Sequence, residues 1–203
     1  MGAATILGGV GAVLGLVRAL PQLVRLLRTR DAHGVSLDTA ATSSAVSFGW
    51  AAYGLLTDQL PVALATGSSG IVFALVTAVA LRLGRRPREL RAAPVWLAVL
   101  VAVGVLAGSD GLGIVLPVSV LVANLPQLLV AFREPDLRGL SPLTWALSTA
   151  DGLTWGTYAL VTGDRSILVY GLLQLATSVP IVVRRLVWAR ASALAGPALE
   201  SEE

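Results

Sequence analysis

Asp151 is a carboxylate in the middle of an apolar stretch, 141–161. An ionisable group at that depth in a hydrophobic helix is expensive and marks a functional site by default. It stands four residues before Trp155, which puts both side chains on one helical face. Three roles are open to it: acceptor for the hydroxyls of a substrate, protonatable coupling group, or structural partner of Arg18, the one arginine well inside an apolar stretch.

Trp155 has a twin. Trp50 and Tyr53 recur as Trp155 and Tyr158, at a spacing of three that keeps ring and phenol on one face. Tyr53 and Tyr158 lie near a helix end, where they can act as interfacial anchors or as an outer gate. Trp50 and Trp155 lie a turn deeper, where a flat apolar face can stack on a sugar ring or simply face lipid. Pro21-Gln22 recurs as Pro126-Gln127. Proline inside a helix removes a hydrogen bond and clashes with the preceding turn, so the pair reads as static kinks or as two matched hinges, with the glutamines able to satisfy freed backbone groups. Thr66, Ser68, Ser69, Asn124, Tyr170 and Gln174 are further polar residues of the neighbouring apolar stretches. They are candidates for substrate contact or for bonds between helices. Gly8, Gly11 and Gly15 form a small-residue stripe that close helix approach explains.

These matches belong to a duplication. Residues 20–57 and 125–162 align without gaps at an offset of 105, and 16 of the 38 pairs are identical. A period of that length is too long for a solenoid, so each copy is a small subdomain. The elements that carry it are membrane helices: 55% of residues are hydrophobic and 13% charged, against roughly 25% charged in an average soluble domain. Seven apolar stretches are candidates to span a bilayer, at 4–24, 37–56, 61–82, 92–107, 112–132, 141–161 and 166–187. The 92–107 stretch is the shortest.

Arginines follow the first, third, fifth and seventh stretches, including Arg28, Arg30, Arg85, Arg86, Arg133, Arg138, Arg184 and Arg185, while Asp58, Asp110 and Asp164 mark the opposite loops. By the positive-inside rule the N-terminus is outside and the C-terminus cytoplasmic. A three-helix unit followed directly by its copy would insert upside down. One extra crossing restores parallel orientation and explains a fourth span, giving an all-α, 3+1+3 arrangement with the shared site between the repeats near the midplane. The expected divisions are 1–86 for the first triple-helix bundle, 87–110 for the linker helix, 111–190 for the second bundle and 191–203 for a disordered tail. The start at Met1 lacks a basic n-region and a cleavage site and reads as the first span rather than a removed signal.

With no cysteine and a single histidine, His33, in a charged loop, no metal site or cofactor is expected. No nucleophile stands at usable spacing from a base, so no enzyme is expected. The arginines punctuate short loops instead of forming a free basic face, so nucleic acid is not an expected partner despite a pI near 10.2.

On the proline-glutamine pair, the basic loop ending in Gly-Val-Ser or Gly-Leu-Ser, and the repeated W-x-x-Y, the chain resembles the PQ-loop superfamily over about residues 4–187, most closely its SWEET and SemiSWEET branch of sugar facilitators. The resemblance implies two triple-helix bundles joined by a linker helix, rocking about the Pro21 and Pro126 kinks in alternating access. It implies substrate held between Trp50 and Trp155 and completed by a pair of asparagines in the third helix of each bundle. Here those stretches, ATGSSG at 65–70 and VYGLLQ at 169–174, hold no asparagine. Ser69 or Thr66, and Gln174 or Tyr170, are the nearest polar substitutes. Leu37 stands where the second copy has Pro142, so gating is expected to be unequal between the halves.

The leading expectation is passive, bidirectional transport of a mono- or disaccharide across a bilayer, as a monomer or a homo-oligomer. A proton-coupled amino-acid transporter of the cystinosin-like type is the alternative, with Asp151 as its proton site. A non-transporting receptor or scaffold, on the plan of the related KDEL receptor, is a third. Arginine without lysine and an Ala/Val/Leu/Gly bias point to a GC-rich bacterial genome, hence a multi-pass protein of the cytoplasmic membrane.

Overall fold

The computed structural model describes residues 2–137 and 140–195, with side chains through residue 192. Arg138, Gly139 and residues 196–203 of the expected tail lie outside the described residues. The described chain forms six α-helices: α1 (Ala3–Thr29), α2 (Leu37–Leu56), α3 (Leu60–Arg82), α4 (Ala92–Arg133), α5 (Pro142–Thr162) and α6 (Arg165–Ala195), with a 3-10 turn at Pro87–Glu89. Two boundaries differ from expectation. Residues 191–195, assigned to the tail, continue α6. α1 runs on past its apolar part, so Arg25 and Arg28 are helical, and it stops at Arg30, whose left-handed backbone (φ 53°) returns its N–H to Leu26 O at 3.1 Å.

α1, α3, α4 and α6 are long and apolar enough to cross a membrane. α2 and α5, at 20 and 21 residues, have the length but carry more hydroxyl groups. Some of those hydroxyls bond to a neighbouring helix, as polar side chains in membrane helices commonly do. Ser44 Oγ donates to Gly70 O on α3 at 3.0 Å, and its counterpart one repeat later, Thr149, bonds Ser178 Oγ on α6 at 3.0 Å.

The 42-residue α4 covers two of the expected stretches, and it does not run straight. Gly108 has φ 57° and ψ −142°, a region open in practice only to glycine. In a straight helix Leu100 and Leu116, 16 residues apart, would be separated by about 24 Å. Instead both close on one point of α2: a Cβ at Gly49 would lie 3.2 Å from Leu100 Cδ1 and 2.9 Å from Leu116 Cδ2. The chain therefore doubles back at Gly108, midway between the two leucines.

Caps repeat with the sequence. Ser36 and Ser141 accept from the Thr39 and Thr144 backbone N–H, each at 3.3 Å, to start α2 and α5. α4 is started from a distance, because Asp38 on α2 accepts from the backbone N–H of Arg91, Ala92 and Ala93, each at 2.9 Å. The repeat counterpart of Asp38 is Leu143, so this tie exists once.

α3 packs against α1 and α2, and α6 against α4 and α5. The main contacts between these groups are α1 with α5 and α2 with α4, which exchange with each other under the 105-residue offset. Buried apolar side chains form three clusters. One, around Trp50, Tyr53, Leu116, Trp155, Tyr158 and Ile167, draws on both copies. The other two lie toward the arginine-rich end, and each stays within one copy: Leu26, Val35, Leu37 and Val76 in the first, Leu137, Leu140, Trp145 and Ile181 in the second.

Candidate functional site

Trp50 and Trp155 are each 6% exposed and sit in the cluster shared by the two copies. Each meets the tyrosine three residues on edge to face, Trp50–Tyr53 with ring centroids 5.5 Å apart and Trp155–Tyr158 at 5.4 Å, the geometry the ring quadrupoles favour. Room for the Trp155 indole exists because α1 has no side chain at Gly11, where a Cβ would fall 2.5 Å from Trp155 Cζ2. Gly8 and Gly15 likewise admit Pro61 and Ser69. The glycine stripe is thus a packing surface for α3 and for one wall of the site.

A cavity of about 40 Å³ lies between the tryptophans, lined by Trp50, Val62, Thr66, Trp155, Ile167 and Tyr170. Its walls come from both copies, and Val62 and Ile167 are themselves repeat counterparts. A water molecule occupies roughly 30 Å³ of liquid and small-molecule sites run to about 300 Å³ or more. A solute the size of a sugar ring fits between the tryptophans only when the copies move apart. The lining is mostly hydrocarbon, with three polar points. Thr66 donates its hydroxyl to Val62 O at 2.7 Å and Tyr170 donates to Asp151 Oδ2 at 2.6 Å, so each offers the cavity an acceptor oxygen. The buried Trp50 indole N–H has no hydrogen-bond partner among the described residues.

Asp151 lies behind Tyr170, 4% exposed. The oxygen that accepts from Tyr170 also faces Arg18 Nη1 at 3.8 Å. Of the three roles open to Asp151, the pairing with Arg18 is present in the structure, across the contact between α1 and α5.

Above the cavity, away from the arginine-rich end, a second polar contact joins the copies. Tyr53 Oη donates to Asp164 Oδ2 at 2.8 Å, and Gln59 Nε2 donates to the same oxygen at 2.5 Å. Asp164 also caps α6, accepting from Ile167 N at 2.9 Å. Sequence reasoning passed over Gln59 and took Asp164 only as a marker of loop sidedness. The signal was available: they are repeat counterparts, each immediately before the third helix of its copy.

The other candidates are dispersed. Asn124 Nδ2 donates to Gln174 Oε1 at 3.1 Å and Thr177 Oγ1 at 2.9 Å, a polar cluster between α4 and α6 outside the cavity lining. Ser69 faces Gly15 and returns its hydroxyl to Ala65 O at 3.1 Å. Tyr158 is buried beside Trp155. Pro21 and Pro126 lie inside helices that continue past them, with Gln22 half-buried and Gln127 exposed.

No family model matches the chain, and no curated protein matches it. Among solved structures it is similar to a eukaryotic SWEET transporter determined at 3.7 Å resolution, with a TM-score of 0.71 and 14% identity over 93% of this chain and 100% of that one. The fold is SWEET-like.

Proposed function

We propose that the protein is a membrane transporter working by alternating access, a passive and bidirectional facilitator of a mono- or disaccharide. The observation that carries this reading is the cavity itself. It is bounded by the same aromatic residue from each copy, is too small for a solute while the copies are closed on each other, and has Thr66 and Tyr170 as hydroxyl-bearing residues in its lining. Burial of an uncharged polyol there needs hydrogen bonds and no counter-charge.

In this reading α1–α3 form one bundle and α5, α6 and the second limb of α4 the other, with the first limb of α4 as the linker that crosses the bilayer and restores parallel orientation. The N-terminus is outside and the arginine-rich end cytoplasmic. Tyr53, Gln59 and Asp164 close the outer side, and Pro21 and Pro126 are the points about which α1 and α4 flex. The protein belongs to a multi-pass cell membrane population and acts on a small molecule.

Counterflow of labelled glucose, sucrose and a panel of amino acids into proteoliposomes, with and without a pH gradient, tests this. Sugar uptake indifferent to pH and abolished by Trp50→Ala with Trp155→Ala is the expected result. Uptake of amino acids that requires a proton gradient and is lost in Asp151→Asn would replace the facilitator by a proton-coupled carrier.

A further inference from the structure

Along α1 the side facing the second copy changes character turn by turn. Gly11 admits Trp155 at the cavity wall. Seven residues on, two turns nearer the arginine-rich end, Arg18 faces Asp151. Asp151 stands one turn below Trp155 on α5, so the ion pair lies directly beneath the cavity, between it and the arginine-rich end. Beyond that level, among the described residues, the two copies share no buried apolar cluster; each packs its own. The central cluster and the Tyr53–Asp164 contact hold the copies together above. The charge pair is a polar contact that joins them below the cavity.

The pair is also asymmetric. The contact of α2 with α4 is the repeat equivalent of the contact of α1 with α5, and the counterparts of Asp151 and Arg18 there are Val46 and Ala123. Neither can form an ion pair. Asp151 is nine-tenths buried, and its Oδ2 receives Tyr170 from α6 as well as Arg18 from α1, while Trp155 lies beside it. Tyr170 also lines the cavity, so one hydroxyl touches both the cavity and the carboxylate that holds α1. Moving α1 from α5 would strip a buried carboxylate of its cation, which is strongly unfavourable unless water or another partner replaces it.

We propose that Arg18 and Asp151 form a charge lock closing the arginine-rich side of the transport path, held at the α1–α5 contact alone, with Tyr170 positioning the carboxylate. The inference rests on the alternating-access reading. Opening on that side then proceeds by separation of α1 from α5 and not by symmetric parting of both contacts.

The chain has no cysteine, so Thr66→Cys introduces a single reporter in the cavity wall. Its reaction with a membrane-impermeant maleimide is followed in sealed vesicles of each orientation. In this background Arg18→Gln and Asp151→Asn should each raise the labelling rate from the arginine-rich side about tenfold, without raising it from the other side. Arg18→Asp combined with Asp151→Arg should return it to near the parent rate. Single variants that leave the rate unchanged, or raise it equally from both sides, overturn the lock. So does a folded charge-swap variant that labels as fast as the singles. If the singles do not fold, the charge-swap variant decides alone: parent-like labelling supports the lock and fast labelling overturns it. Labelling needs no flux, so side-dependent labelling in a protein that moves no solute would sink the transport reading and leave the lock standing.

Discussion

Gln59 and Asp164 occupy the same position in the two copies, 105 residues apart, and they hydrogen-bond to each other: Gln59 Nε2 donates to Asp164 Oδ2 at 2.5 Å. Each precedes the third helix of its copy, so the contact brings the starts of α3 and α6 together. A symmetric site would put two like residues face to face. The sequence has diverged there into a donor and an acceptor, and Tyr53 adds a second donor at 2.8 Å.

Removal of this contact should loosen the side opposite the arginine-rich end. Tyr53→Phe keeps the ring packed on Trp50 and deletes only the donor, while Asp164→Asn keeps an acceptor for Ile167 N. Both variants are expected to fold, and a Thr66→Cys reporter in either should label faster from the side opposite the arginine-rich end. Asp164→Ala loses the helix cap as well, at a cost of about 1 kcal/mol, and should show a lower melting temperature than Asp164→Asn.

Gly11 should tolerate no side chain. A methyl group would meet the Trp155 indole at 2.5 Å, and overpacking of this kind costs about 1–3 kcal/mol. Gly11→Ala is expected to lower the detergent-solubilised melting temperature and reduce flux. Gly9→Ala, where a Cβ meets nothing within 4 Å, serves as the control and should leave both unchanged.

Asp38 should matter more than a half-exposed residue ordinarily does. Its carboxylate accepts three backbone N–H groups at the start of α4, groups that have no intrahelical partner. Asp38→Ala should cost about 1–2 kcal/mol, and Asp38→Asn less. Hydrogen exchange at residues 91–93 would report the loss directly, accelerating in the alanine variant.

The reversal at Gly108 should depend on glycine itself. At φ 57° and ψ −142° an L-residue is strained by about 1–3 kcal/mol, and a residue that prefers helix there would favour a straight α4. Gly108→Ala should reduce the yield of folded protein, and a pair of cysteines at Gly104 and Leu112, which are in contact across the bend, should crosslink less well in that variant. Equal crosslinking would show that the bend does not need glycine.

Much of this protein was legible in its residues. The duplication, the helix extents of α2, α3 and α5, and the Trp50–Trp155 pair follow from periodicity and from residue identity at matched positions, which local rules capture; Thr66 and Tyr170, whose counterparts are Gly171 and Ala65, are tied to the site only through the resemblance. What stayed hidden were relations between distant segments. Hydropathy separates 92–107 from 112–132 but is blind to the backbone angle at Gly108 that folds one on the other. Polarity marks Asn124 and Gln174 as candidates but does not say that they spend their hydrogen bonds on each other. Gln59 and Asp164 are ordinary loop residues until α3 and α6 bring them within 2.5 Å, and the nearness of Arg18 to Asp151 depends on how α1 packs on α5. The sequence determined which side chains exist and on which helical face each lies. Only tertiary packing decided partners, because a buried polar group must find its complement wherever the helices carry one.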